Sequence, residues 1–131
     1  VETSSGEIIE QSEPVVEQSI NISQENLDAV YEGMRLVTQG TRGTLRTYFN
    51  DFPINVAAKS GTAQENLLRS SHTWFVGFAP YENPQISVTV MIPFGEYSPT
   101  PSAIVGRNII AEYMGLNYTP ENSYMDVELA D

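Results

Sequence analysis

The stretch VAAKSGTAQ, residues 56–64, decides the fold because it places the only lysine of the chain, Lys59, in a run of small residues. Its apolar start and small side chains predict a β-strand over residues 56–63 that another backbone or a ligand can approach closely. Side chains in a strand alternate between faces, with Lys59, Gly61 and Ala63 on one and Ser60 and Thr62 on the other. Such a lysine either guards a sheet edge against wrong pairing or takes part in chemistry.

Two more strands follow this stretch. In residues 73–80 the side chains would alternate between the two faces of a strand, with Trp74, Val76 and Phe78 on one face and Phe75, Gly77 and Ala79 on the other. Residues 86–93 alternate in the same way, and the short link at 81–84 makes the pair an antiparallel hairpin. We expect Trp74 to lie in the core, because aromatic side chains dominate core burial.

Helices are predicted on both sides of the strands. Ser23 has the character of an N-cap, and the helix period that follows it stops at Gly40, so the first helix covers residues 24–39. The apolar face that we expect it to bury consists of Leu27, Val30, Tyr31, Met34 and Val37. Residues 41–55 are a loop with a short helix. A last helix covers residues 102–114. Its predicted buried face consists of Ile104, Val105, Ile109, Ile110 and Tyr113.

The two ends of the chain differ from this central part. Residues 1–22 contain β-branched clusters interrupted by Pro14, which predicts two short strands or a hairpin. Residues 117–131 are acidic, and we expect them to be a mobile tail. Residues 23–116 then form one unit, an α+β fold in which N- and C-terminal helices cover an antiparallel sheet.

Composition excludes several kinds of function. Seventeen acidic residues against six basic ones give a net charge of −11, which argues against nucleic-acid binding. The chain has one histidine and no cysteine, so we predict neither a metal site nor a cofactor. It has no apolar run long enough to cross a membrane, so any anchor is expected outside these residues.

The string KSG at Lys59 is the serine form of the K-T-G motif of β-lactamases and penicillin-binding proteins. Together with two further blocks, SQENLDAVYEGMRLV (residues 23–37) and HTWFVGFAPYENPQISVTVMI (residues 72–92), it makes the chain resemble the transpeptidase domain of class B penicillin-binding proteins. The blocks occur in the family's order. The resemblance implies the fold of serine β-lactamases and penicillin-binding proteins, of which only the C-terminal part is present.

The resemblance also implies roles for residues of the strand. Lys59 supplies positive potential, and Thr62 donates its backbone N–H to the oxyanion hole, so these two are the candidate catalytic residues. The hydroxyl groups of Ser60 and Thr62 bind the substrate carboxylate, and Gly61 leaves room for the acyl group. Gln64 flanks the cleft as a further substrate contact, and Arg69 lies near it. His72 precedes the second strand and is expected to be a bystander.

Two of the family's three motifs are missing. S-x-x-K requires a serine where Val56 stands, and the match to S-x-N at Ser19 lies too close to Lys59. We therefore expect the nucleophilic serine outside this chain, which should be inactive alone. The resemblance implies a peptidoglycan D,D-transpeptidase on the extracytoplasmic face of the cell membrane, with D-Ala-D-Ala stem peptides, β-lactams and cell-wall polymerases as its partners.

Alternatives stay open at this stage. A β-lactam-hydrolysing or β-lactam-sensing domain shares a K-[ST]-G strand, and a non-catalytic module could have the same fold. The partner common to all enzymatic alternatives is the rest of the domain, which carries the nucleophile.

Overall fold

The computed structural model describes residues 5–6, 8, 15–65, 67–95 and 100–117. Its elements are α1 (Gln24–Gln39), α2 (Arg46–Phe49), β1 (Ala57–Ala63), β2 (His72–Ala79), β3 (Ile86–Ile92) and α3 (Thr100–Tyr113). Every helix and strand predicted between residues 23 and 116 is confirmed, with ends that differ by at most two residues.

The three strands form one antiparallel sheet in the order β1-β2-β3. In the pairing of β1 with β2, Lys59 lies opposite Val76 and Gly61 lies opposite Trp74. Trp74 in turn lies opposite Met91 of β3. Because paired residues share a face, these side chains are on one side of the sheet and Phe75 is on the other.

The face that carries Phe75 holds the core. Phe75 is fully buried, and its ring stacks on that of Phe49 in α2 at a centroid distance of 6.1 Å. Ile110 of α3 is also fully buried in this cluster. Gly106 allows α3 to come this close, because a Cβ at that position would lie 2.3 Å from the Phe75 ring. Helices α2 and α3 therefore cover this face.

Helix α1 is fixed at both ends and packs beside β1. Ser23 is its N-cap, and the Ser23 hydroxyl accepts a hydrogen bond from the Asn26 N–H at 3.4 Å. Near the other end, the buried Thr38 hydroxyl hydrogen-bonds to the carbonyl oxygen of Val56, the residue before β1. Tyr31 meets Phe78 edge to face at 5.3 Å. Helix α1 thus contacts the face of the sheet that lies opposite to the face carrying Phe75.

The predicted buried faces of the helices need correction. In α3, Ile110 is buried as expected, but Ile109 is 43% exposed, and Val105 and Tyr113 are exposed too. At Gly106 the Phe75 ring leaves no room for a side chain, so the helix approaches the sheet along small residues. The buried small residues of α3 include Ala103, Gly106 and Ala111. In α1, Val30 is 58% exposed, so the predicted apolar face is buried only in part.

Strands predicted before α1 are absent from residues 15–22, which have no regular secondary structure and are exposed. No strand of the sheet pairs with these residues in the described part of the chain, and their β-branched side chains are half to four-fifths exposed. The rest of the predicted hairpin, apart from residues 5, 6 and 8, and residues 118–131 of the predicted tail lie outside the described residues. No helix within the described ranges is long and apolar enough to cross a membrane.

Candidate active site

Strand β1 carries the predicted site at an edge of the sheet. It pairs with β2 alone among the described strands, so its other edge is not hydrogen-bonded by another strand there. Lys59 and Thr62 are exposed, and Ser60 and Gly61 are half-buried. All four residues are therefore accessible along one short stretch of backbone.

The two faces of β1 divide the site residues as the alternation predicted. Lys59 and Gly61 share a face with Val76 and Trp74 of β2. Thr62 lies opposite Thr73, on the face of the core. The Lys59 ammonium folds back along the strand and donates a hydrogen bond to the Ser60 carbonyl oxygen. The positive charge therefore lies at the backbone of Ser60, whereas the side chains of Ser60 and Thr62 are on the other face of the strand.

Ser60 has a partner that the sequence did not indicate. Its Oγ lies 3.3 Å from Oγ1 of Thr44, in the loop between α1 and α2. The loop is tied to α1, because the N–H of Gly40 donates to Leu36 O at 3.0 Å and the N–H of Leu45 donates to Val37 O at 3.0 Å. A depression of about 350 Å³ opens beside this loop. Its lining residues are Gly33, Leu36, Val37, Gly40, Thr41, Arg42, Gly43 and Thr44.

Gly61 lies directly beside Trp74. A Cβ at Gly61 would be 3.3 Å from the Cβ of Trp74, which is a tight contact. The prediction that Trp74 lies in the core is wrong for this chain, because its side chain is 40% exposed. Val76 and Met91 on the same face are exposed to a similar extent. The physical reason is that α2 and α3 cover the opposite face, while α1 packs against this face near Phe78, through Tyr31.

Gln64, Arg69 and His72 lie around the loop that connects β1 to β2. Gln64 is exposed just beyond the end of β1. His72 Nδ1 accepts a hydrogen bond from the Phe94 N–H at 3.3 Å, and the two rings lie 4.9 Å apart. The Arg69 guanidinium lies over the Phe94 ring, 5.4 Å from its centroid. These contacts hold the loop against the turn after β3.

A charged cluster elsewhere joins α1 to the β2–β3 hairpin. Arg35 donates two hydrogen bonds to Glu32, at 2.7 and 2.6 Å, and they hold the pKa of Glu32 below its usual value. The same hydrogen bonds raise the pKa of Arg35. Burial and then the charge of Glu32 raise the pKa of Tyr81, whose hydroxyl donates to Glu32 at 3.4 Å. These contacts connect α1 to the link between β2 and β3, and none of them involves a KSG residue.

The chemistry available at β1 is recognition and charge stabilisation. No group of three His, Cys, Asp or Glu side chains in the described ranges could hold a metal ion. The strand offers an ammonium, two hydroxyl groups and unpaired edge backbone, which suit a carboxylate and a developing oxyanion. A serine activated by a neighbouring lysine is not part of this arrangement.

Comparison with known proteins identifies the relatives of this arrangement. Residues 3–111 match the family described as the penicillin binding protein transpeptidase domain. The peptidoglycan D,D-transpeptidase MrdA of Haemophilus influenzae is 32% identical over 96 residues, which cover 63% of this chain and 15% of that protein. The chain thus spans a small part of the length of the curated relatives that it matches.

Solved structures agree with the sequence comparison. The crystal structure of Pseudomonas aeruginosa PBP2 in complex with WCK 5153 is similar with a TM-score of 0.68 and 34% identity, covering 86% of this chain and 26% of that one. A complex between PBP2 and MreC from Helicobacter pylori gives a TM-score of 0.58 at 29% identity, covering 70% of this chain and 18% of that one.

Proposed function

This chain belongs to the penicillin-binding protein transpeptidase family, and from that premise we propose that its KSG strand forms one wall of the acyl-transfer site of a peptidoglycan D,D-transpeptidase. The observation that carries the proposal is the accessible edge of β1, where Lys59, Ser60, Gly61 and Thr62 lie together. The proposal concerns a complete transpeptidase domain, of which this chain supplies the part with the KSG motif.

Each residue of the strand has a role in the proposed reaction. Lys59 supplies positive potential, and the hydroxyl groups of Ser60 and Thr62 bind the carboxylate of the acyl donor. The backbone N–H of Thr62 donates to the oxyanion that forms at the attacked carbonyl, a contact whose loss typically costs about 3 kcal/mol. Gly61 keeps the strand free of a side chain beside Trp74. Gln64, at the exposed end of the strand, contacts the substrate further along.

The nucleophile comes from the remaining part of the domain. Its serine oxygen attacks the carbonyl of the D-Ala-D-Ala bond, the C–N bond breaks, and the released D-alanine takes up a proton. The acyl group then passes from the serine to the amine of a second stem peptide. The exposed apolar side chains of Trp74, Val76 and Met91 fit this arrangement, because burial against the rest of the domain would remove them from water.

Partners and location follow from the same proposal. A β-lactam would take the place of the acyl donor and stay on the serine as a stable ester. The enzyme would act at the extracytoplasmic face of the bacterial membrane, held by a segment outside these residues. The complex of Helicobacter pylori PBP2 with MreC makes a protein similar to MreC a further candidate partner, beside cell-wall polymerases.

The test is covalent labelling by penicillin, followed by mass spectrometry. We expect no adduct on the 131-residue chain alone and one adduct when the chain is part of a complete domain. An adduct on the isolated chain would contradict the external nucleophile. Rapid release of hydrolysed penicillin would favour a β-lactamase, and a folded complete domain without any adduct would favour a non-catalytic module.

Variants of the strand test the individual roles. Thr62→Val should slow labelling through weaker carboxylate binding, since its backbone N–H stays in place, and Lys59→Ala should slow labelling further. Thr89→Val is the matched control, because Thr89 is an exposed strand threonine that β2 separates from β1. Equal rates for Thr62→Val and Thr89→Val would contradict the role of the Thr62 hydroxyl.

A further inference from the structure

The contact between Thr44 and Ser60 points beyond the KSG strand. Their side-chain oxygens lie 3.3 Å apart, although the residues come from the α1–α2 loop and from β1. Thr44 is exposed and Ser60 is half-buried, so neither hydroxyl needs this contact in order to escape an unpaired buried state. The need to pair a buried hydroxyl therefore does not explain the contact.

A serine hydroxyl has one proton to donate and two lone pairs that accept. If Ser60 donates its proton to a substrate carboxylate, its oxygen can only accept from Thr44. Thr44 then has to donate, and the two hydroxyl groups form a chain that ends on the carboxylate. Hydrogen bonds in such a chain strengthen one another. Resting on the proposed function, we infer that Thr44 is a positioning residue that directs the Ser60 proton towards the substrate carboxylate.

The backbone on both sides of Thr44 is fixed by close contacts with α1. The residue after Thr44, Leu45, is fully buried and its N–H donates to Val37 O at 3.0 Å. The residue before it, Gly43, lies so close to α1 that a Cβ would be 2.5 Å from the carbonyl oxygens of Leu36 and Val37. The Thr44 hydroxyl is therefore presented to Ser60 from a backbone fixed on both sides.

The arrangement predicts a specific kinetic signature. Thr44→Val keeps the size and branching of the side chain but removes the donor. A hydrogen bond of ordinary net strength corresponds to about a threefold to tenfold change in an equilibrium constant. We expect that loss in the binding constant for a carboxylate-bearing acyl donor, with little change in the rate constant of acylation itself. Thr44→Ser, which keeps the hydroxyl, should restore binding.

The experiment measures acylation of a complete domain that contains this chain, with benzylpenicillin and with its methyl ester. Thr44→Val should weaken binding of benzylpenicillin but leave the ester unaffected, because the ester lacks the carboxylate. In a Ser60→Ala background, Thr44→Val should cause no further loss. Thr41→Val, in the same loop, is the matched control. Circular dichroism checks that each variant is folded, and Thr44→Ala replaces Thr44→Val if the latter is not.

The outcomes separate the inference from the proposal on which it rests. If the unmodified domain is not acylated, the proposed function fails and the role of Thr44 fails with it. If the domain is acylated but Ser60→Ala does not weaken binding of benzylpenicillin, the role of Ser60 is overturned together with that of Thr44. If both hold but Thr44→Val has no effect, affects the ester equally, or adds fully to Ser60→Ala, only the role of Thr44 is overturned.

Discussion

Gly106 of α3 offers a strong test of how the helix packs on the sheet. A Cβ placed on Gly106 would lie 2.3 and 2.4 Å from two carbons of the Phe75 ring, far inside the separation of about 3.5–4.0 Å at which carbons attract each other. The ring has little freedom to move away. The ring also stacks on Phe49 at a centroid distance of 6.1 Å, and it lies so close to Gly77 that a Cβ there would be 2.9 Å from it.

Gly106→Ala therefore has two opposing effects on stability. Alanine favours a helix interior over glycine by about 1 kcal/mol. Overpacking a filled core costs about 1–3 kcal/mol, and this site lies at the upper end, since the blocked ring is fully buried. We expect a net loss of about 1–2 kcal/mol in the free energy of unfolding.

Gly33→Ala is the matched control, because Gly33 is a glycine in the interior of α1 where an added Cβ would meet nothing within 4 Å. It should stabilise the chain by up to about 1 kcal/mol. Urea unfolding followed by far-ultraviolet circular dichroism measures both variants against the unchanged chain. If Gly106→Ala proves as stabilising as Gly33→Ala, the close packing of α3 on Phe75 is refuted.

Two further predictions concern burial and charge. Ile110→Asp should cost more than about 3 kcal/mol and Ile109→Asp less than about 1 kcal/mol in urea unfolding, because only Ile110 is fully buried; equal losses would mean that α3 is rotated. Glu32→Gln should lower stability at neutral pH, where Glu32 is ionised and paired with Arg35. The pKa of Glu32 is lowered in the folded state, so its contribution to the free energy of unfolding is present above the unfolded pKa and is lost as pH falls through the folded pKa. The curves of stability against pH for the unchanged chain and for Glu32→Gln should therefore converge in acid. Parallel curves would contradict this.

The elements of the fold were predictable because their signals are local. Helix α1 begins at the capping residue Ser23 and ends at Gly40, where the apolar period stops. The strand pattern of residues 73–80 also placed Trp74 and Phe75 on opposite faces, as the structure has them. The family was predictable from the KSG motif together with its two neighbouring blocks, and the comparison with known proteins confirms it.

Which face is covered was not predictable from the same patterns. Ile109 and Ile110 are adjacent, so their side chains point about 100° apart around α3, and a pattern of large apolar residues includes both. The structure buries only Ile110, because the helix approaches the sheet along its small residues. The exposure of Trp74 could not be predicted from the pattern either. Alternation separates it from Phe75, but whether a face is covered depends on neighbours from distant parts of the chain.

The contact of Thr44 with Ser60 lies furthest from what a sequence pattern can indicate. Threonine and serine are common residues in polar stretches of sequence. No periodicity predicts a contact between a loop residue and a strand residue sixteen positions later. The contact depends on the position of α1 beside β1, which the hydrogen bond from Thr38 to Val56 O stabilises. It also depends on the loop packing closely against α1 at Gly43. The KSG motif therefore identifies the strand of the proposed site, whereas the contact that its serine makes with Thr44 depends on the packing of the preceding helix.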